Sequence, residues 1–99
     1  MFPLKEVAMY HFYDLYSSFD EFYESMFRGN EVLFEFRGTP YFMFPVFNEA
    51  GKVFAIRIGK QAEDDDTICH SQDELLHFKM EDLCFADILN EIYITFHNF

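Results

Sequence analysis

The chain has 99 residues, among them 15 Phe and 6 Tyr, and it carries a formal net charge of −11 at pH 7. This length predicts one domain with one core, and the high aromatic content argues against disorder. The negative charge argues against direct binding of nucleic acid, whose phosphates attract Lys and Arg, and against binding to anionic membranes.

Residues 1–16 are open to two interpretations. Their apolar residues fall at helical spacing, yet many of them are aromatic residues that also favour strands. We expect a strand or an irregular segment over residues 9–16. A single helix over residues 4–28 is the alternative, because the apolar stripe continues past residue 16.

A helix is predicted over residues 19–28. Ser18 and Glu21 have the spacing of a capping box, which marks a helix start. Gly29 suits the C-terminal cap. Between them the apolar residues recur at helical spacing, at Phe19, Phe22, Tyr23, Met26 and Phe27.

Three strands are predicted over residues 31–37, 41–47 and 53–58. Gly38-Thr39-Pro40 separates the first two and residues 48–52 separate the last two. Apolar residues alternate along each strand, which is typical of a sheet with one buried side. The expected buried side consists of Val32, Phe34, Phe36, Phe42, Phe44, Val46, Phe54, Ile56 and Ile58.

The second strand would then place Tyr41, Met43 and Phe47 on its less buried face. Aromatic residues and Met are enriched at the centres of interfaces. These three residues are therefore a candidate aromatic interface for a partner or a second copy of the chain. Burial under residues 1–16 is the alternative.

The rest of the chain predicts a solvated acidic loop and one or two helices. The four adjacent acids Glu63, Asp64, Asp65 and Asp66 predict the loop. Ser71 begins a second capping box that opens a short helix to about residue 78, and helical spacing of apolar residues predicts another over residues 83–93.

The predicted fold class is α+β. It consists of a three-stranded antiparallel meander with an N-terminal helix and one or two C-terminal helices packed on one face. A single domain over residues 1–99 is expected, because no linker or internal repeat interrupts the pattern.

The sequence predicts a non-enzymatic protein with no metal and no cofactor. Cys69, His70, His77 and Cys84 do not have the spacing of a compact zinc site. No Gly-rich turn supplies an oxyanion site for a Cys–His pair. The acidic run lacks the glycine and the alternating oxygens of a calcium loop. No catalytic residue is therefore assigned.

Acidic residues concentrate in the second part of the chain. Residues 1–60 carry eight acids and six bases, whereas residues 61–99 carry ten acids and a single base, Lys79. An acidic surface associates fastest with a basic one. The candidate partner-binding residues are Glu63, Asp64, Asp65, Asp66, Asp73, Glu74, Glu81, Asp82, Asp87 and Glu91.

On the predicted loop and helices these acids would form a negative stripe that imitates the phosphates of a nucleic acid. The predicted function is inhibition or modulation of a nucleic-acid-handling protein, whose basic groove the stripe would occupy. An ordinary solvated surface explains the same charges. A second functional hypothesis is a structural or accessory module that self-associates through the candidate aromatic interface.

The stretch FDEFYESMFRGNEVLFEFRG, from Phe19 to Gly38, resembles the opening of small uncharacterised proteins that are common in bacterial genomes and mobile elements. The shared pattern is an FDEF helix, a glycine, a strand rich in Glu and Phe, and a turn glycine. The resemblance covers residues 18–60 and implies no catalytic residues. Mobile-element proteins of this size include inhibitors of host defence nucleases, so the resemblance implies an anti-CRISPR-like phage inhibitor.

A cytoplasmic location is expected. The N-terminus shows no basic segment followed by an apolar run, and no apolar stretch approaches the length of a membrane span. Cys69 and Cys84 are accordingly expected to be reduced thiols.

Overall fold

The computed structural model describes residues 10–63 and 66–97. The described elements in chain order are β1 (Tyr10–His11), α1 (Phe12–Leu15), α2 (Phe19–Met26), β2 (Val32–Phe36), β3 (Thr39–Phe47), β4 (Val53–Lys60), β5 (Asp66–Cys69), α3 (Gln72–Leu76), β6 (Lys79–Met80), β7 (Leu83–Cys84), two 3-10 helices (Phe85–Asp87 and Leu89–Glu91) and β8 (Ile92–His97).

The predicted three-stranded meander with C-terminal helices is wrong. Within the described residues, six strands form an antiparallel sheet in the order β1-β8-β2-β3-β4-β5, and β6 and β7 form a separate two-stranded ribbon. In the part of the chain that the structure describes, only three short α-helices accompany these strands. The predicted strands are present as β2, β3 and β4, but they are half of a larger sheet.

The helix predicted over residues 83–93 is replaced by a strand, two 3-10 helices and the start of β8. The apolar spacing is real, because Phe85, Ile88, Leu89 and Ile92 are all buried. A 3-10 turn also repeats every three residues, so it satisfies the same spacing. From residue 92 the sequence is rich in β-branched and aromatic residues, which favour a strand.

The turn between β2 and β3 sets which side chains of β3 are buried. Phe36 pairs with Thr39, so the turn contains only Arg37 and Gly38. Their φ angles are 51° and 82°. Positive φ at both central residues matches a two-residue hairpin turn whose twist fits the flanking strands.

The predicted buried face of β3 is therefore wrong. A loop of Gly38-Thr39-Pro40 would pair Phe34 with Phe44, whereas Phe34 pairs with Tyr41 in the structure. The register differs by three residues, and any odd change of register reverses the face of every side chain. In the structure Tyr41 pairs with Phe34, and Met43 pairs with Val32. Tyr41 and Met43 are each 1% exposed and belong to the core.

The predicted face of the third strand is correct in part. Ile56 and Ile58 on β4 are buried, and Met43 pairs with Ile58. Phe54 is not buried, because a register irregularity after Val46 separates its end of the hairpin from the core. Asp66 was expected in the solvated loop, but it begins the edge strand β5 and pairs with Gly59.

The predicted helix after Ser18 is confirmed as α2, and the short helix after Ser71 is confirmed as α3. Each serine hydroxyl accepts a hydrogen bond from the backbone N–H three residues later, at 3.1 Å. The alternative prediction of a single helix over residues 4–28 is wrong for the described residues, because the backbone of Tyr16 is extended between α1 and α2. The expected strand is present only as Tyr10–His11.

The sheet has a covered face and an outer face. The covered face carries the core, to which side chains of α1, α2, α3 and both 3-10 helices contribute. Cross-strand neighbours share a face. The outer face consists of Leu33, Glu35, Phe42, Phe44, Arg57, Ile68, Tyr93 and Phe96.

Among the described residues, none of the helices has the length and apolar character needed to cross a membrane.

Candidate functional site

The candidate site is an acidic layer on the covered side of the sheet. Residues 12–30 and 70–91 build this layer, and their apolar side chains fill the core. They contain ten acids but only two bases, Arg28 and Lys79. The acidic layer therefore concentrates negative charge on the side opposite the outer face.

The first turns of α2 and α3 lie side by side in this layer. The amide of Gln72 donates a hydrogen bond of 2.6 Å to a carboxylate oxygen of Asp20. Both helices begin with the pattern Ser-x-Asp-Glu, so both first turns carry two acids. We call Asp20, Glu21, Asp73 and Glu74 the junction cluster.

Local hydrogen bonds hold the glutamates of the junction cluster in place. Glu21 accepts from the backbone N–H of Ser17 at 2.6 Å and from its hydroxyl at 3.0 Å. These bonds favour the charged form and lower the pKa of Glu21. Glu74 accepts from the backbone N–H of His70 at 2.7 Å. The starts of α2 and α3 also favour negative charge in their first turns.

The sequence predicts only half of this cluster. Its pattern indicates Asp73 and Glu74 as candidate partner-binding residues, but Asp20 and Glu21 only as helix-capping residues. The repeated Ser-x-Asp-Glu pattern was the signal that could have linked them, since two helix starts on one side of a sheet bring their acids to one side.

The other predicted acids do not form one continuous stripe. Asp87 and Glu91 were expected four residues apart on one helix, but they lie on separate 3-10 helices. Glu91 approaches Arg37 at 3.1 Å, and Glu81 approaches the same guanidinium at 3.8 Å. Asp82 shares the exposed β6–β7 turn with Glu81. These acids lie at the Arg37 end of the sheet.

Glu63 and Asp66, the two described acids of the run after Lys60, lie at the β5 edge. Glu63 is 3.8 Å from the Lys60 ammonium, and Asp66 is 3.4 Å from the Arg57 guanidinium. Such exposed pairs contribute little stability, but they offset part of the local negative charge. Asp64 and Asp65, also predicted to bind a partner, lie outside the described residues.

The candidate aromatic interface does not form a surface. Tyr41 and Met43 are buried in the core, whereas Phe47 is 53% exposed. The Phe47 ring lies against Gly29, where an added Cβ would be 3.7 Å from its Cζ. The exposed aromatic surface of the sheet is the outer face instead, where Tyr93 and Phe96 are 39% and 48% exposed.

Cys69 and Cys84 are both free thiols. Burial, with a smaller effect from Glu74, raises the pKa of Cys69 to about 11, so its reactive thiolate is scarce at neutral pH. Within residues 10–63 and 66–97, no group of three His, Cys, Asp or Glu side chains has the arrangement of a metal site.

Comparisons with family models, with curated proteins and with solved structures found no match to this chain. The resemblance to small mobile-element proteins therefore stays a prediction. The function has to be inferred from the surfaces of this molecule.

Proposed function

We propose that the chain is a non-enzymatic acidic binding protein. It occupies a basic groove of a nucleic-acid-handling protein in the cytoplasm and inhibits or modulates it, in the manner of an anti-CRISPR-like phage inhibitor. The observation that carries this proposal is the acidic layer, whose segments contain ten acids and two bases. Arg37, outside these segments, pairs with two of the ten acids, Glu81 and Glu91.

The junction cluster is the centre of the proposed contact. Its four acids come from two helix starts that are each capped by a serine, so their backbone positions are fixed before binding. Their side chains are exposed. Exposed acids of this kind accelerate association with a basic surface and compete with phosphates for Lys and Arg.

Charge reversal in the junction cluster tests this proposal. The double variant Asp20→Lys, Asp73→Lys is expected to weaken binding to a basic partner by about 100-fold, because close charge pairs contribute about 1.5 kcal/mol or more each. The partner is first captured from host lysate at low salt and eluted with duplex DNA. Its affinity is then measured by surface plasmon resonance at several salt concentrations.

The matched control is Glu31→Lys, Glu49→Lys, which changes the net charge equally at exposed acids outside the acidic layer. It should lose less than about fivefold in affinity, since only long-range attraction changes. Equal losses in both double variants would contradict a localised site. Retention of no nucleic-acid-binding protein at low salt would contradict the proposed function itself.

A second candidate function is self-association through the outer face. This face exposes three large apolar side chains, Ile68 by 41%, Tyr93 by 39% and Phe96 by 48%. Two sheets can stack through such faces at a spacing of about 10 Å. The chain would then act as a structural or accessory module that pairs through its outer face.

Sedimentation velocity tests self-association. If the outer face pairs two copies, the wild-type chain should sediment as a dimer and Phe96→Asp should sediment as a monomer, because the variant places a charge in an apolar contact. Tyr13→Asp is the matched control, since Tyr13 is 50% exposed on the covered side of the sheet. A monomeric wild-type chain at high concentration would eliminate this function.

A further inference from the structure

A cleft of about 340 Å³ opens beside the β5 edge of the sheet, away from the junction cluster. Its walls come from β3, β4, the β4–β5 loop, β5 and the β6 region. Ile58 and Phe78 provide apolar wall, and Glu63 and Glu81 provide carboxylates, whereas the carboxylate of Asp66 pairs with Arg57 of the outer face at 3.4 Å. Phe78, Lys79 and Glu81 of the acidic layer contribute to the cleft, but no residue of the junction cluster lines it.

Tyr41 lines the cleft with a polar group that the fold leaves unsatisfied. The residue is 1% exposed, and its ring stacks on Phe34 with a centroid distance of 5.3 Å. Its backbone carbonyl accepts a hydrogen bond of 3.0 Å from Gln61. Its hydroxyl, by contrast, is buried and makes no hydrogen bond to any residue in the described ranges. Such a group costs folding free energy, so it needs a reason to be there.

The charges around this hydroxyl favour a cation. Burial raises the pKa of Tyr41, and the negative charges of Glu81 and Glu63 raise it further. Both carboxylates also line the cleft. Of the two lysines that line it, Lys60 lies 3.8 Å from Glu63, which offsets its charge. Arg37 in turn lies 3.8 Å from Glu81 and offsets part of its charge. The neutral phenol oxygen can accept a hydrogen bond from a positively charged donor.

We propose that this cleft binds an ammonium group carried on an aliphatic stem. The ammonium donates to the carboxylates at the mouth of the cleft and, once the side chains that cover the buried Tyr41 hydroxyl move apart, to that hydroxyl, while the stem packs on Phe78. A metal ion fits less well, because no three acidic side chains of the described residues converge as metal ligands. The ligand is either a free polyamine or a lysine side chain of a protein.

Four probes separate these sources and test the chemistry. Putrescine represents a free polyamine, and N-acetyl-lysine methylamide represents a protein side chain. N-acetyl-norleucine methylamide has the stem without the ammonium, and potassium chloride at matched ionic strength controls for screening. Each is titrated into the ¹⁵N-labelled full chain and followed by ¹H–¹⁵N correlation spectra.

Saturable shifts of amides in β4, β5 and the β6 region are expected with putrescine or with the lysine compound, and the tighter ligand identifies the source. The norleucine compound and potassium chloride should produce no saturable shifts there. Equal binding of the norleucine compound would overturn the proposal, as would shifts with either cation that spread evenly over all acidic surfaces.

Tyr41→Phe tests the role of the hydroxyl. It should weaken binding of the cation by about tenfold, because a hydrogen bond to a charged group is lost. It should also raise the melting temperature of the free chain, because the unsatisfied buried hydroxyl is removed. Tyr13→Phe, at a tyrosine that is 50% exposed, is the control and should change neither quantity.

Lys79→Gln provides a test of opposite sign. Lys79 lines the cleft and makes no salt bridge with a described residue, so its charge opposes a bound ammonium. Removal of this charge should tighten binding of the cation by about threefold, because an exposed like charge is lost. Weaker binding in Lys79→Gln, or unchanged binding in Tyr41→Phe, would overturn the proposal. Asp20 and Asp73 do not line the cleft, so this proposal and the proposed function can fail separately.

Discussion

Replacing Met43 by alanine is expected to lower the free energy of unfolding by about 2–5 kcal/mol, the usual cost of removing a fully buried large side chain. Met43 is 1% exposed and pairs with Val32 on one side and Ile58 on the other, so its removal leaves a cavity in the centre of the sheet. Urea denaturation followed by circular dichroism measures the loss, and an unchanged m-value confirms that the variant still unfolds in one step.

Phe42→Ala is the matched control for Met43→Ala. Phe42 is the adjacent residue on β3, but it lies on the outer face and stays half-buried. Removal of the Phe42 ring should lower the free energy of unfolding by roughly half as much as Met43→Ala or less, because less apolar area returns to water and no enclosed cavity forms. A larger loss for Phe42→Ala would show that β3 has the opposite face buried, as a three-residue loop at Gly38 would require.

This pair of variants isolates the main error of the sequence-based prediction. The presence of β2, β3 and β4 could be predicted, since alternation of apolar residues is a local signal. The buried face of β3 could not, because both alternating sets on this strand are apolar. The decision then depends on the length of one turn, and two residues rather than three form it.

The C-terminal strand shows a different limit. β8 lies between β1 and β2, so its partners are about 60 to 80 residues away along the chain. Local periodicity describes the neighbours of a residue on its own element and contains no information on such distant pairs. The helices α2 and α3 could be predicted because a serine cap and its first turn form a contact within four residues.

The negative charge of the acidic layer could be predicted from the sequence, but the spatial arrangement of its acids could not. The sequence identifies the excess of acids, and the capping motifs place four of them at helix starts. Only the tertiary fold shows that Asp20 lies beside Gln72 and that Glu81 and Glu91 share Arg37. The cleft beside β5 was missed because the sequence analysis placed Tyr41 on the less buried face.

Phe85→Ala is expected to lower the free energy of unfolding by about 3–5 kcal/mol. Phe85 is fully buried, and its ring centroid lies 5.8 Å from that of Phe34 and 5.9 Å from that of Phe19. One side chain from a short 3-10 helix therefore joins the sheet to α2. Thermal unfolding followed by circular dichroism at several urea concentrations measures the loss.

The contact between Phe85 and Phe19 can be separated from simple burial by a double-mutant cycle. Phe19→Ala, Phe85→Ala and the double variant should give a coupling free energy of about 0.5–1.5 kcal/mol, the range for aromatic pairs in contact. Phe54→Ala is the control for loss of a phenyl ring. Phe54 is 44% exposed, so this substitution should lower the free energy of unfolding by about 1 kcal/mol or less. Zero coupling would contradict a stabilising ring contact between Phe85 and Phe19.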